Sequence, residues 1–309
     1  MGTGEVPVVQ RLGEHLQVNR EKYAACIDVL DSPLGIEGID AKLRMHFVKF
    51  DSNGRPKFAD LAKCLVDHIL QYCHSARRLQ SRAAPDEWVR LVRETRDLFT
   101  KRLSSGEPGE VLLYFLVECV LEAPQVVAKI TLKTSPKMEV HGADGIHMKW
   151  DENDGVLDVY FGEAKLHQSL GSAVQSAVQS ISRFHEEDMS SRELELVTSN
   201  FKLADLDLKE AISRYLDRQD GSAPGCRVKH ACLIGYDWEE YQRLDGIERG
   251  RLLEEFRSRY AADGPRLRDA LAGGFMGLRD LRVILEVFFL PFKSVQEFRE
   301  AFNRALTGT

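Results

Sequence analysis

The chain has no apolar run near the ~18 residues that span a bilayer. Its longest candidate, Val283 to Phe292, is interrupted by Glu286 and Pro291. It shows no basic leader running into an apolar core: Glu5 and Pro7 stand near its start, so no secretory signal is expected. Val6 occupies the position where N-myristoylation needs Ser or Thr. The six cysteines (Cys26, Cys64, Cys73, Cys119, Cys226, Cys232) show no C-x-x-C spacing and no accompanying His pair. That argues against zinc and for reduced thiols in a cytoplasmic protein. Cys119, inside an apolar helix, reads as core filling. There is no internal repeat and no low-complexity tract. Nor is there the positive excess of a protein that grips nucleic acid unaided, since the formal net charge is −6. The basic residues of the first third (Lys22, Arg77-Arg78, Arg82, and Arg90 to Arg102) are local and read as solvated helix faces. What remains is a globular composition, 43% hydrophobic and 29% charged over 309 residues, long enough for one large domain or two smaller ones.

The pattern predicts a helix-rich region at 1–105 and a second domain at 106–309, divided at Ser104-Ser-Gly-Glu-Pro-Gly109, the stretch densest in small and turn residues. In the first region, helices are expected over Ala59–Leu79 and Asp86–Leu103. Alternation at Leu43, Met45, Phe47 and Val48, followed by Asp51-Ser-Asn-Gly54 and Lys57-Phe58, predicts a β-hairpin. The second region reads as a buried helix from Glu110 to Leu121, then strands at Val126–Thr134, Met138–Trp150 and Val156–Leu166. A helix at Leu170–Phe184 follows, with Leu170, Val174, Ala177, Ile181 and Phe184 forming an apolar stripe. Beyond it come a helix at Leu203–Leu216, strands at Val228–Tyr236 and Leu281–Phe289 around a helix at Trp238–Ala261, and a last helix capped by Ser294 and Glu297.

The chemistry concentrates between Gly142 and Lys165. A Gly142-Ala-Asp-Gly145 turn presents Asp144, and Gly162-Glu-Ala-Lys165 ends the strand that begins at Val156. Side chains alternate along a strand, so Glu163 and Lys165 share a face while Ala164 takes the other. Leu157, Val159 and Phe161 lie on one face and Val156, Tyr160, Ala164 and Leu166 on the other, the pattern of a strand buried on both sides. Two same-face charges at the end of such a strand need partners. Mg²⁺ held by Asp144 and Glu163 is one partner, and a phosphate with its attacking water is another. Mn²⁺ has similar ligand preferences and is expected to substitute. An aspartate followed by Glu-x-Lys is what a metal-dependent phosphodiesterase of the PD-(D/E)XK class uses, with Lys165 orienting or deprotonating the water. Gly142 and Gly145 permit a sharp turn beside Asp144, and Gly162 is expected to leave space above the metal. A bare Glu-x-Lys is common; the upstream aspartate turn, the apolar strand and the flanking helices give the motif its specificity.

The runs Gly109-Glu110-Val-Leu-Leu-Tyr-Phe-Leu-Val-Glu118, Val140-His-Gly-Ala-Asp-Gly-Ile-His147 and Phe161-Gly-Glu-Ala-Lys-Leu-His167 together resemble the HamA family, the nuclease subunits of Hachiman anti-phage defence. The resemblance covers about residues 106–295, with three blocks in order. It implies an α/β fold with a PD-(D/E)XK restriction-endonuclease-like core, a mixed sheet flanked by helices. It also implies DNA as substrate and a helicase partner, HamB, in a heteromeric complex. Glu110, Glu118 and Glu122 share one side of their helix, and a carboxylate at the helix start is favoured by the dipole whatever its role. In this class that helix often lends a glutamate to the site, and because the match centres on Gly109-Glu110, Glu110 is the choice. Lys129 and Lys133 either contact phosphate or line the sheet edge. Gln175 and Gln179 either line the cleft or face solvent, and His141, His147 and His167 read as structural. The site set is thus Asp144, Glu163, Lys165 and Glu110, with Asp144 and Glu163 on the metal. The alternative is a nuclease-fold subunit whose task is to bind and regulate its partner with little or no hydrolysis. That reading is disfavoured by the intact Asp144, Glu163 and Lys165.

Overall fold

The computed structural model describes residues 8–81, 84–100, 106–128, 130, 143–186, 194–195, 197, 201–203, 205–217, 225–276 and 283–308. Among the described residues, seven strands form one mixed sheet: β1 (Ile27–Ile36), β2 (Ile39–Val48), β3 (Gln125–Ala128), β4 (Gly145–Asp151), β5 (Val156–His167), β6 (Cys226–Asp237) and β7 (Ile284–Phe292), in the spatial order β1-β2-β7-β6-β5-β4-β3. The centre, β2-β7-β6-β5, is parallel; β1 and the β4-β3 pair run antiparallel at the two edges.

Alternation along the strands sorts the core into layers. Tyr160, Leu166, Ala231, Leu233, Phe288, Leu290 and Phe292 face one helical layer. That layer contains α1 (Arg20–Cys26), α2 (Phe58–Val66), α3 (Ile69–Cys73) and, after the short α4 (Ala76–Gln80), which buries no side chain, α5 (Pro85–Thr100), α6 (Glu107–Leu116) and, from the far end of the chain, Val295–Thr307. Leu157, Val159, Phe161, Cys232, Ile234, Leu285, Val287 and Phe289 face the opposite side. That side is covered by α7 (Leu170–Glu186), α8 (Leu206–Leu216) and the long helix Arg249–Phe275. The whole expected stripe of α7 is buried. The order helix–β–β–β–helix–β holds from α6 to β6, with α8 as an added helix after α7. Ser294 caps the last helix as expected, its Oγ accepting the Glu297 backbone N–H at 3.2 Å.

Several boundaries differ from the sequence expectations. Leu43–Val48 is a strand, but its hairpin partner is upstream, and the two-residue turn is Glu37-Gly38 with Gly38 at φ 78°. The Asp51–Gly54 turn is real and held by Asp51 Oδ1, which accepts from Asn53 and Arg55 N–H at 2.8 Å; it leads only to a single bridge, Phe50 to Pro56. The expected helix over 59–79 is three short ones, because Ser75 caps a new start and His68 opens another. Gly109 lies inside α6 rather than in a linker. A Cβ there would sit 3.1 Å from Leu166 Cγ and 3.4 Å from Ala164 Cβ, so its smallness lets α6 approach β5 closely. The sheet is continuous across the boundary expected near residue 105, since β2 pairs with β7 from Asp40↔Ile284 to Met45↔Phe289.

Candidate functional site

Of the strand expected at Met138–Trp150, the part described is β4, from Gly145 to Asp151; Asp144 sits just before it. The β4–β5 ladder pairs Ile146 with Phe161 and then gives way to a tighter arrangement. The Asp144 backbone N–H donates to the Gly162 carbonyl at 2.8 Å, and its Oδ2 accepts the Ala164 N–H at 2.8 Å. The aspartate side chain therefore stands in for a missing ladder carbonyl and is fastened across the backbone that carries Glu163. Asp144 is buried, at 7% exposure.

Glu163 and Lys165 share a face and form an ion pair. They remain partly accessible, with side-chain exposures of 13% and 23%. Cys232, the register partner of Glu163 on β6, is fully buried. Burial pushes its thiol pKa up; Glu163 and Asp144 raise it further, while Lys165 opposes them. All three sequence-predicted groups thus act on one buried point. Gly162 corrects the expectation made for it. A Cβ there would meet Leu113 Cδ2 at 3.1 Å and the Gly145 carbonyl at 3.3 Å, so by alternation its missing side chain makes room for α6, not for a metal.

Glu110 comes from the first turn of α6 and is also buried; its Oε2 accepts from the Tyr72 hydroxyl at 3.1 Å. Burial first, then the charges of Glu110 and, more weakly, Asp144 raise the Tyr72 pKa, so the two carboxylates share a neighbourhood. Glu118 is committed elsewhere. Its carboxylate accepts backbone N–H groups of Gln17 (2.7 Å), Val18 (3.0 Å) and Gln125 (3.1 Å), tying the Gln17-Val18 segment to the start of β3. Burial raises its pKa while these donors oppose the shift. Glu122 turns to the surface in a left-handed conformation with Arg20 and Lys149.

Among the described residues no three His, Cys, Asp or Glu side chains gather at the spacing of a metal cage. Two hard carboxylates, with water completing the octahedron, are nonetheless what Mg²⁺ commonly takes from a protein, and Asp144 with Glu163 fits that donor set. His147 is structural as expected, its Nδ1 lying 2.9 Å from the Ala123 carbonyl, and burial brings its pKa down to about 3. Burial, helped by Lys165 and Arg299, also lowers the pKa of His167. Gln175 and Gln179 are exposed. Lys129, Lys133, His141 and Gly142 lie outside the described residues.

Sequence reasoning missed Tyr72, Arg299 and Lys202. Lys202 is buried, with Nζ donating to the Tyr72 carbonyl (3.0 Å) and to Gln125 Oε1 (2.6 Å), and burial lowers its pKa to about 8. All three arrive from distant segments, and no local pattern marks them. Among the described residues no helix is long and apolar enough to cross a membrane. No curated protein matches the chain. The model of the HamA family matches residues 25–306, taking in every strand of the sheet and all four site residues, and the chain belongs to that family of Hachiman anti-phage defence subunits.

Proposed function

We propose that the chain is a Mg²⁺-dependent deoxyribonuclease, the hydrolytic subunit of a cytoplasmic defence complex with the helicase HamB. The observation that carries this reading is the fastening of Asp144 across Gly162–Ala164, beside the Glu163–Lys165 pair, at the end of a strand buried on both faces. A surface turn followed by a solvent-exposed Glu–Lys pair has no need of that arrangement.

In this reading Asp144 and Glu163 hold the cation, whose chemistry is to acidify a bound water and offset phosphate charge. The Ala164 N–H fixes the orientation of Asp144. Lys165 orients the attacking water and offsets charge on the phosphate in the transition state. Glu110, held by Tyr72, supports the site from the α6 side. Purified full-length chain, with and without the helicase, is incubated with duplex and single-stranded DNA in Mg²⁺ or EDTA. Mg²⁺-dependent strand cleavage is the expected result; intact DNA in every arm leaves the regulatory-subunit reading in its place.

A further inference from the structure

We infer that Arg299 is a phosphate-binding residue at this end of β5, receiving a backbone phosphate of the nucleic-acid substrate from the face of the strand opposite Lys165. The inference rests on the nuclease reading and extends it to a residue about 130 positions away from the motif in the sequence.

Arg299 lies in the C-terminal helix Val295–Thr307, which shares the core layer that Leu166 faces. Its Nη2 donates to the carbonyl of Leu166, the residue after Lys165, at 3.0 Å. Its Nε is buried and has no hydrogen-bond partner among the described residues. No carboxylate pairs with it among the described residues, whereas most arginines at comparable depth are well supplied. Arg227 meets Asp151, Asp154 and Asp158; Arg259 meets Glu240 and Glu255; Arg44 meets Glu286. A guanidinium offers five N–H donors in a planar fork, and one bond to a carbonyl uses one of them. An anion with several oxygens is the natural partner for the rest.

The surroundings agree. The charges of Lys165 and Arg299 both act on the His167 ring, after burial, to lower its pKa. Lys165 and Arg299, from opposite faces, thus bring two cations to the end of β5 in a chain whose net charge is −6. The backbone of a polyanion is what such a local positive field selects. A purely structural role, tying the helix to the strand, accounts for the Leu166 bond but not for a partly buried cation left without a carboxylate.

The test uses the full chain carrying Lys165→Ala, so that substrate survives, with and without the helicase. A fluorescein-labelled DNA duplex and its single strand are titrated by anisotropy in Mg²⁺ at several KCl concentrations. Adding Arg299→Gln is expected to weaken binding roughly tenfold and to lower the slope of log affinity against log salt by about one. Arg299→Lys should restore the slope and part of the affinity, and melting temperature is recorded for each. An unchanged affinity and slope with Arg299→Gln overturns the inference while leaving the nuclease reading standing. So does a loss of binding that follows only loss of folded protein. A parent protein that binds neither DNA overturns both.

Discussion

The two ends of β5 carry charge in opposite ways. At its start, Asp158 is almost fully enclosed, with 3% side-chain exposure, and receives Arg227 Nε at 2.6 Å, Lys229 Nζ at 2.6 Å and the Tyr160 hydroxyl at 3.3 Å. Arg227 in turn binds Asp151 at 2.6 Å and Asp154 at 2.5 Å. The network ties β4, β5 and β6 together on the wall of a cavity of about 660 Å³. At its end, Lys165 has Glu163 as its one ion-pair partner among the described residues, Asp144 is fastened to backbone, and Arg299 has no carboxylate. Buried charge satisfied wholly by protein groups holds strands together. Charge kept partly accessible at the strand end, as on Glu163 and Lys165, is open to a cation, a water and a phosphate.

The largest expected effect is at the closed end. Asp158→Ala leaves Lys229 without its carboxylate and Arg227 with two of three, and removing one partner of a buried ion pair costs about 3–5 kcal/mol. Urea unfolding of the purified variant measures it. A loss below about 1 kcal/mol would mean the network is no more structural than a surface pair.

At the open end, Asp144→Ala is expected to weaken Mn²⁺ binding by roughly a hundredfold, about 2.7 kcal/mol, read by titration calorimetry. Equal binding by wild type and variant removes Asp144 from the cation site and erases the contrast between the two ends.

His230 lies between them, opposite Phe161 in the register. Burial, and then His185, brings its pKa down to about 3 from an ordinary 6.5. The folded state therefore refuses a proton that the unfolded chain accepts below pH 6.5. This contribution is fully present above pH 6.5 and is lost as pH falls toward 3, at up to about 1.4 kcal/mol per pH unit. Unfolding free energies at pH 7.5, 6 and 5 should show a shallower acid slope for His230→Gln than for wild type; parallel slopes contradict the assignment.

Much of the site was legible because strand alternation is a local rule. Glu163 and Lys165 on one face, Ala164 on the other and Asp144 close by follow from a few adjacent residues. The hairpin was legible only in part. Leu43–Val48 reads as a strand, but β1 contains Pro33 and Gly35 and does not read as one; it is an edge strand, where proline is tolerated. The parallel pairing of β2 with β7 joins segments more than two hundred residues apart, which no window of sequence reveals. Tyr72, Lys202 and Arg299 were invisible for the same reason. Glu110 and Glu118 looked equivalent on one helix face; what separates them is which backbone groups the fold delivers to Glu118.

Lys165→Ala, assayed for Mg²⁺-dependent DNA cleavage in the full complex with melting temperature recorded in parallel, tests chemistry at this end of β5 most directly. A group that acts on transition-state charge contributes to rate rather than to folding, and its removal costs on the order of a hundredfold or more in rate. The predicted result is loss of cleavage with metal binding and partner binding retained and stability changed by less than about half a kcal/mol. Near-wild-type cleavage at unchanged melting temperature would contradict the assignment of this end of β5 to chemistry.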